Sequence, residues 1–184
     1  MQSELERLKD LLTEHSLMFG DFTLVSGKKS RFYFDSKKTT LLPEGSYLVA
    51  REFLRLIREK GIQAEAIGGM TLGADPIVCP VSAVSHLEGP PLRAFIVRKE
   101  AKGHGTGRRI EGNLRPGCRV IVVDDVVTTA GSTLQAIDAV LEAGFEIAAV
   151  LCLVDREEGG TEKLSRWPFH PLFRRSELFV EAGS

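Results

Sequence analysis

Cysteine is scarce in this chain. Cys79, Cys118 and Cys152 are the three among 184 residues, they lie far apart, and no CxxC pair occurs. A disulfide framework or a thiolate zinc cage is therefore not expected, and the pattern fits buried, reduced thiols in a cytosolic protein. Long apolar runs are missing as well, so no segment approaches the ~20 residues of a membrane span. The opening residues MQSELERLKDLL are charged throughout, which does not suit a secretory leader. The expectation is a cytoplasmic protein without membrane contact. Charge of one sign is also lacking. Lys and Arg number 24 against 25 Asp and Glu, a formal balance of −1, so nothing draws the chain as a whole to nucleic acid or an anionic surface, and any anion must be met by a local cluster. There is no GxxxxGK[ST] loop, no internal repeat and no low-complexity linker, which sets aside the nucleoside-triphosphatase loop and repeat architectures.

What the chain has is an alternation of two periodicities. Leu5, Leu8, Leu11 and Leu12 recur at helical spacing behind Ser3, a residue type that caps helix N-termini. Strand-forming aromatics flank Ser26-Gly27, which predicts a hairpin. Pro43-Glu44 opens a second helix with Val49, Phe53, Leu56 and Ile57 on one face and Gly61 as its stop. Strands and helices then take turns. AEAIGG (64–69) reads as a short strand ending in a glycine turn, Gly73–Ser85 as a helix, LRAFIVR (92–98) as a strand, and the glycine-rich stretch after it as a polar loop. Val120–Val123 form a strand, Ser132–Glu142 a helix ended by Gly144, and EIAAVLCLVDR (146–156) another strand. Trp167 and Phe169 in the mixed tail are expected to pack back on the domain. The pattern predicts one α/β domain over 1–184, with a central, mostly parallel sheet flanked by helices.

Ligands of such sheets bind beyond the carboxyl ends of the strands, and those ends carry the unusual residues of this sequence. The four aliphatics Val120, Ile121, Val122 and Val123 run into Asp124 and Asp125, then into Thr128-Thr129-Ala130-Gly131-Ser132-Thr133 and a helix start. Carboxylates can hold sugar hydroxyls or a metal, and the free amides of a first helical turn can hold a phosphate. Neighbouring side chains of a strand point to opposite faces, so both acids are expected at one ligand only if the strand is already breaking into a turn. The plainer alternative is that one acid caps the helix and the other is solvated. A second cluster is Arg98, Lys99, Lys102 and His104, three cations and a histidine within seven residues beside Gly103 and Gly105. Cations on a closing loop suit a leaving group that develops charge, although a solvated charge run is the usual fate of such a segment. Asp155-Arg156 closes the last strand, and a guanidinium offers a rigid donor fork to a planar carboxylate.

These motifs carry a resemblance. VIVVDDVVTTAGS is similar to the signature of the type I phosphoribosyltransferases. RKEAKGHG with Ile110-Glu111-Gly112, FGDFTL–SGKKS–FYFD near the N-terminus, and Asp155-Arg156 resemble orotate phosphoribosyltransferase over about Leu17 to Arg156. The resemblance implies the type I phosphoribosyltransferase fold with a small N-terminal hood (about 1–42). It implies orotate and 5-phosphoribosyl 1-diphosphate (PRPP) as substrates, and Mg²⁺ carried mainly by PRPP and diphosphate rather than by a metal site of the protein. Asp124 and Asp125 would hold the ribose. Val126, Val127, Thr128, Thr129, Ala130, Gly131 and Ser132 would line the 5-phosphate. Arg98, Lys99, Lys102 and His104 would meet diphosphate, with Lys102 and His104 catalytic, and Thr128 and Arg156 would contact orotate. The hood aromatics would lie along the orotate ring. A homodimer in which the 99–112 loop serves the partner's site is implied too. The turn at 68–73 has no lysine and Val25 precedes the hood's Ser-Gly, where relatives often place diphosphate-binding lysines, so the amides and the loop would carry more of that binding. A purine-specific phosphoribosyltransferase shares the 124–132 signature but not the KEAKGHG loop, and a PRPP-sensing regulator would need a basic face that this chain lacks.

Overall fold

The computed structural model describes residues 2–23, 29–100 and 109–178. Its centre is β6 (Arg119–Val127), and the reason is visible residue by residue. Val120 and Val122 face one apolar cluster and Ile121 and Val123 the other, all at 1% exposure or less. A strand this apolar on both faces must have neighbours on both sides and helices above and below. Around it lie β3 (Ala66–Met70), β4 (Arg93–Val97), β5 (Ile110–Gly112), β7 (Glu146–Asp155) and β8 (Phe169–Arg174), in the order β5-β4-β3-β6-β7-β8. The pairs β4–β3, β3–β6, β6–β7 and β7–β8 are parallel, while β5 is antiparallel to β4. α1 (Glu4–Leu11), α3 (Pro43–Glu59) and α4 (Asp75–Glu88) pack on one face, and α5 (Gly131–Glu142) on the other with Leu164, Trp167 and Phe169. The expected parallel sheet and the packing of the tail aromatics are both present. No helix among the described residues is long and apolar enough to cross a membrane.

The chain steps outward from β3 to β4 and then returns to place β6 on the other side of β3. The switch point of the sheet therefore lies between the ends of β3 and β6, where loops diverge and leave a crevice. Glycine makes the approach of these two strands possible. A Cβ on Gly69 would stand 1.9 Å from the Val123 carbonyl oxygen, and one on Gly68 would enter the ring of Phe95 at 2.3 Å. Gly68-Gly69 is thus an interior part of β3, not the turn expected from the sequence; the turn is the segment after it. Gly69→Ala forces backbone to move, and overpacking of this kind costs about 3 kcal/mol. A fall in the urea midpoint with most protein lost to the insoluble fraction is the expected result, and an unchanged midpoint would show that the ladder gives way freely.

The N-terminal segment adds a separate two-stranded sheet to the central one. Ser3 caps α1 with a capping box, its hydroxyl accepting from the Glu6 amide at 3.2 Å and its own amide donating to Glu6 at 2.7 Å. After a π-helical turn over Leu12–Ser16, β1 (Leu17–Thr23) and β2 (Lys29–Phe34) pair antiparallel as predicted. The Ser26-Gly27 turn between them lies outside the described residues. A short α2 (Lys37–Thr40) follows.

Two strands escape a sequence reading. β5 has a single apolar residue in its three, and β8 contains His170 and Pro171. Proline is tolerated in β8 because it forms the edge of the sheet. One expectation about cysteine is also corrected: Cys118 and Cys152 are buried, but Cys79 is exposed on the outer side of α4.

Candidate active site

β6 does not break at its acids. Its ladder with β7 continues past them, with Asp124 opposite Cys152, Val126 opposite Val154 and Val127 opposite Asp155. Even so, both carboxylates reach one place. A Cβ on Gly73, in the turn that follows β3, would lie 2.4 Å from Asp125 Oδ1 and 3.3 Å from Asp124 Oδ1. The expectation that a shared ligand would require a broken strand is therefore corrected. The side chains converge through their own torsions, Asp124 Oδ1 accepting from the Asp125 amide and Asp125 Oδ1 from the Val126 amide, each at 3.0 Å. Gly73 leaves the crevice open above them.

The two acids differ in environment. Asp124 is 4% exposed and its Oδ2 accepts from Ser132 Oγ at 2.8 Å and Thr133 Oγ1 at 2.7 Å. Burial, followed by the charge of Asp125, pushes its pKa up to about 6 despite those hydroxyls. Asp125 is half-buried and accepts a short hydrogen bond from Ser36 Oγ, at the start of α2. Neither acid is simply solvated, so the plainer alternative fails. The pair holds more negative charge than its protein donors neutralise, which is the condition for taking sugar hydroxyls or a cation.

The hood supplies further groups that the sequence did not single out. Asp35 and Lys37 form an ion pair at 2.7 Å. Lys37 is raised by its bond to Asp35 and also feels Asp125. Against the upward push of burial, the same bond holds Asp35 below the usual carboxylate range. Of the hood aromatics, Phe22 and Tyr33 pack with ring centroids 5.6 Å apart, and Phe19 stands 77% exposed.

Beyond Val127 the chain turns through Thr128 and Thr129 into Ala130, whose φ of 61° is left-handed. Ala130 is the N-cap of α5 and offers no side-chain cap. With Ser132 and Thr133 hydroxyls committed to Asp124, no side chain caps the amides of the first turn. With those two hydroxyls engaged, the backbone amides of the turn remain for an anion. Among the described residues, nothing beyond its chain neighbours and its own helix backbone lies within 4 Å of a Cβ built on Gly131, so packing does not require glycine there. A missed neighbour is α6 (Gly160–Lys163), whose Lys163 Nζ donates to the Thr129 carbonyl at 3.2 Å. A Cβ on Gly160 would meet Val127 Cγ1 at 2.5 Å and the Thr128 carbonyl at 2.6 Å. The Gly159-Gly160 pair was the available sign that another element comes close.

At the end of β7, Asp155 is fully buried and accepts from the Glu157 amide at 2.9 Å and Thr161 Oγ1 at 2.8 Å, with Arg174 Nη1 at 3.7 Å. The Arg156 amide donates to the Val127 carbonyl at 2.8 Å, which sets Arg156 beside the end of β6. Its side chain is 10% exposed and its Nη2 pairs with Glu158 Oε1 at 2.8 Å. This is a buried guanidinium and not a surface ion pair. Arg98 follows β4 and pairs with Glu111 at 2.9 Å across the β4–β5 edge, and Lys99 beside it is exposed. Lys102 and His104 lie outside the described residues. The structure thus brings the carboxylates of Asp124 and Asp125 together beside Gly73, with Ser132 and Thr133 bound to Asp124 and the Arg156 amide tied to Val127 at the end of β6.

Comparison with known proteins places this geometry. A phosphoribosyl transferase domain model matches residues 82–169. The chain is 47% identical to orotate phosphoribosyltransferase of Aquifex aeolicus over 180 residues, 95% of this chain and 97% of that protein. Among solved structures, Mycobacterium tuberculosis H37Rv orotate phosphoribosyltransferase in complex with Fe(III) dicitrate superposes with a TM-score of 0.85 at 35% identity, covering 97% of this chain and all of that one. The same enzyme in complex with PRPP gives 0.80 at 32% identity, over 96% and 99% of the two chains.

Proposed function

The chain belongs to the orotate phosphoribosyltransferase family, and we propose that the crevice between β3 and β6 transfers the 5-phosphoribosyl group of PRPP to orotate. Orotidine 5′-monophosphate and diphosphate are the products, in pyrimidine nucleotide synthesis. The observation that carries this reading is the buried guanidinium of Arg156, a residue whose backbone amide is tied to the end of β6, the strand that carries a ribose-competent acid pair and leads to an uncapped helix start. A phosphate turn alone would suit any base; a buried guanidinium suits an anionic one.

The chemistry is displacement at the anomeric carbon of PRPP. A ring nitrogen of the orotate anion forms the new bond to that carbon while the bond to the diphosphate oxygen breaks, through an oxocarbenium-like state. The base arrives as an anion, so the protein need not remove its proton. It has to hold two negatively charged substrates at reacting distance and neutralise the departing diphosphate. Asp124 and Asp125 take the ribose hydroxyls. The amides of Ala130, Gly131 and Ser132, with Thr128 and Thr129 and the positive end of α5, take the 5-phosphate, a dipole contact worth about 0.3–2 kcal/mol before hydrogen bonds are counted. Arg98, Lys99, Lys102 and His104 act on the diphosphate, Lys102 and His104 as the catalytic pair, and Thr128 and Arg156 orient orotate.

The donors at the switch point are carboxylates, hydroxyls and carbonyls, a hard-oxygen set that suits Mg²⁺. The ion would be held mainly by PRPP and diphosphate, with Asp124 and Asp125 close to the ribose. When bound, Mg²⁺ supplies Lewis-acid neutralisation of the diphosphate. A homodimer in which the 99–112 loop crosses to the partner's crevice, working in the cytoplasm, completes the reading.

The direct test is loss of orotate absorbance on adding PRPP and Mg²⁺, run beside adenine, guanine and hypoxanthine. Turnover of orotate alone is expected; turnover of a purine in its place would transfer the assignment to a purine branch. Gly131→Ala probes the phosphate turn separately. The open space around this position keeps the melting temperature within about 1 °C, while the methyl stands where the phosphate comes in and raises the PRPP KM about tenfold. An unchanged KM would move the phosphate off this turn.

A further inference from the structure

Arg156 has a carboxylate partner within its own chain. Its Nη2 lies 2.8 Å from Glu158 Oε1, with the arginine side chain 10% exposed and the glutamate side chain 39% exposed. From this contact we infer that Glu158 is a resident counter-ion that occupies the orotate-carboxylate position on Arg156 and must be displaced by the substrate. The inference rests on the reading of Arg156 as the orotate contact.

Three features support displacement over a permanent bond. A guanidinium this deeply buried is favoured by a counter-charge, and Glu158, two residues away, supplies one. The backbone that carries Glu158 is pinned on both sides. Glu157 accepts from the Ser176 amide at 3.0 Å, and Thr161 donates to the buried Asp155 at 2.8 Å. Gly160 is wedged against Val127 and Thr128. The exchange therefore needs only rotation of the Glu158 side chain, which already has one edge in solvent, and no movement of the loop. The anchoring of Arg156 is asymmetric as well. Its amide is tied to the Val127 carbonyl at 2.8 Å, so the arginine stays at the crevice while its partner changes.

Such a counter-ion acts as a selectivity filter. A ligand carrying a carboxylate replaces the charge it removes. A base without one would either leave Glu158 in place or remove its charge without replacing it, and both are unfavourable. It also reduces the apparent affinity for orotate by the fraction of molecules in which Arg156 is open.

Glu158→Gln keeps the shape and removes the charge. The expected result is a fall of about 3- to 10-fold in the orotate KM, the factor imposed by a closed state populated to roughly 70–90%. The PRPP KM should stay within about twofold. Inhibition by uracil, which lacks the carboxylate, is expected to strengthen relative to orotate far less or not at all. An orotate KM that rises or does not change would overturn the inference, because a glutamate that merely braces Arg156 in its binding pose gives that outcome. The arm that separates this from the underlying reading is Arg156→Ala, alone and with Glu158→Gln. If Arg156→Ala raises the orotate KM and Glu158→Gln then has no further effect, both stand. If Arg156→Ala leaves the orotate KM untouched, the placement of orotate falls and the counter-ion role falls with it. If Arg156→Ala raises the KM but Glu158→Gln in the unmodified background does nothing, only the counter-ion role is lost.

Discussion

Asp124→Asn makes this protein more stable at pH 7.5 and nearly inactive. The pKa of Asp124 is pushed up to about 6, first by burial and then by Asp125, against about 3.9 for an aspartate in the unfolded chain. A carboxyl whose folded pKa is raised binds its proton more tightly in the native state than in the unfolded one. Its contribution is favourable below the unfolded value and is lost as pH rises through about 6. At pH 7.5 the protein therefore carries a penalty on the order of 3 kcal/mol at most, from a shift of about two units at 1.36 kcal/mol each. Asparagine removes the charge and its oxygen can still accept from Ser132 and Thr133, but its NH2 replaces the Oδ1 that accepts from the Asp125 amide, so that hydrogen bond is lost. After discounting for imperfect hydrogen bonds, a gain of about 1–2 kcal/mol remains, or roughly 2–8 °C in Tm. The gain should shrink steadily as the pH is lowered and be absent near pH 4. The same change replaces a ribose-binding carboxylate by an amide, and kcat/KM for PRPP is expected to fall by about 100-fold or more, as for loss of a charged hydrogen bond in a closed site. Thermal melts from pH 4 to 8 with steady-state kinetics at pH 7.5 check both halves. A variant that is less stable at pH 7.5, or a gain that does not depend on pH, would show that the pair is not under electrostatic strain.

That trade explains why the acid pair was legible in the sequence and its chemistry was not. Two adjacent carboxylates after four aliphatics are a visible departure from a buried strand, and the Thr-Thr-Ala-Gly-Ser-Thr run announces a turn into a helix. Which acid is buried, and what it holds, depends on partners distant in the chain. Ser36 binds Asp125 across 89 positions, Gly73 leaves the opening above both acids, and Lys37 enters from the hood. No local pattern marks a serine after an aromatic strand as a partner for a carboxylate so far away. The fold showed the same division. Strands with aliphatic runs, β3, β4, β6 and β7, could be read directly because burial on both faces leaves a compositional trace. β5 and β8 could not, since each lies at an edge of the sheet and is specified by its neighbour more than by its own residues. The Gly68-Gly69 pair looked like a turn because glycine usually marks one. Here it marks the close passage of β3 past Val123 and Phe95.

Arg156→Ala tests the base-recognition half of the site, and its effect is expected to fall on one substrate only. The guanidinium is 10% exposed in its side chain and is fixed by its amide to the end of β6, so a carboxylate that reaches it does so with little competition from water. Charge-assisted pairs in such surroundings are worth about 1.5–3 kcal/mol, and stranding the substrate carboxylate adds to the loss. The orotate KM should rise about 100-fold, while the PRPP KM changes less than about threefold because the acid pair and the phosphate turn are untouched. Stability is a control in this variant. Glu158 loses its partner but is 39% exposed in its side chain and can turn to solvent, so the Tm should move by only a few degrees. Arg156→Lys should recover only part of the affinity, since an ammonium keeps the charge without the planar fork. A larger effect on the PRPP KM than on the orotate KM would reassign Arg156 to the phosphoribosyl side. Equal loss of both with a collapsed Tm would make it a structural tie between β6 and β7.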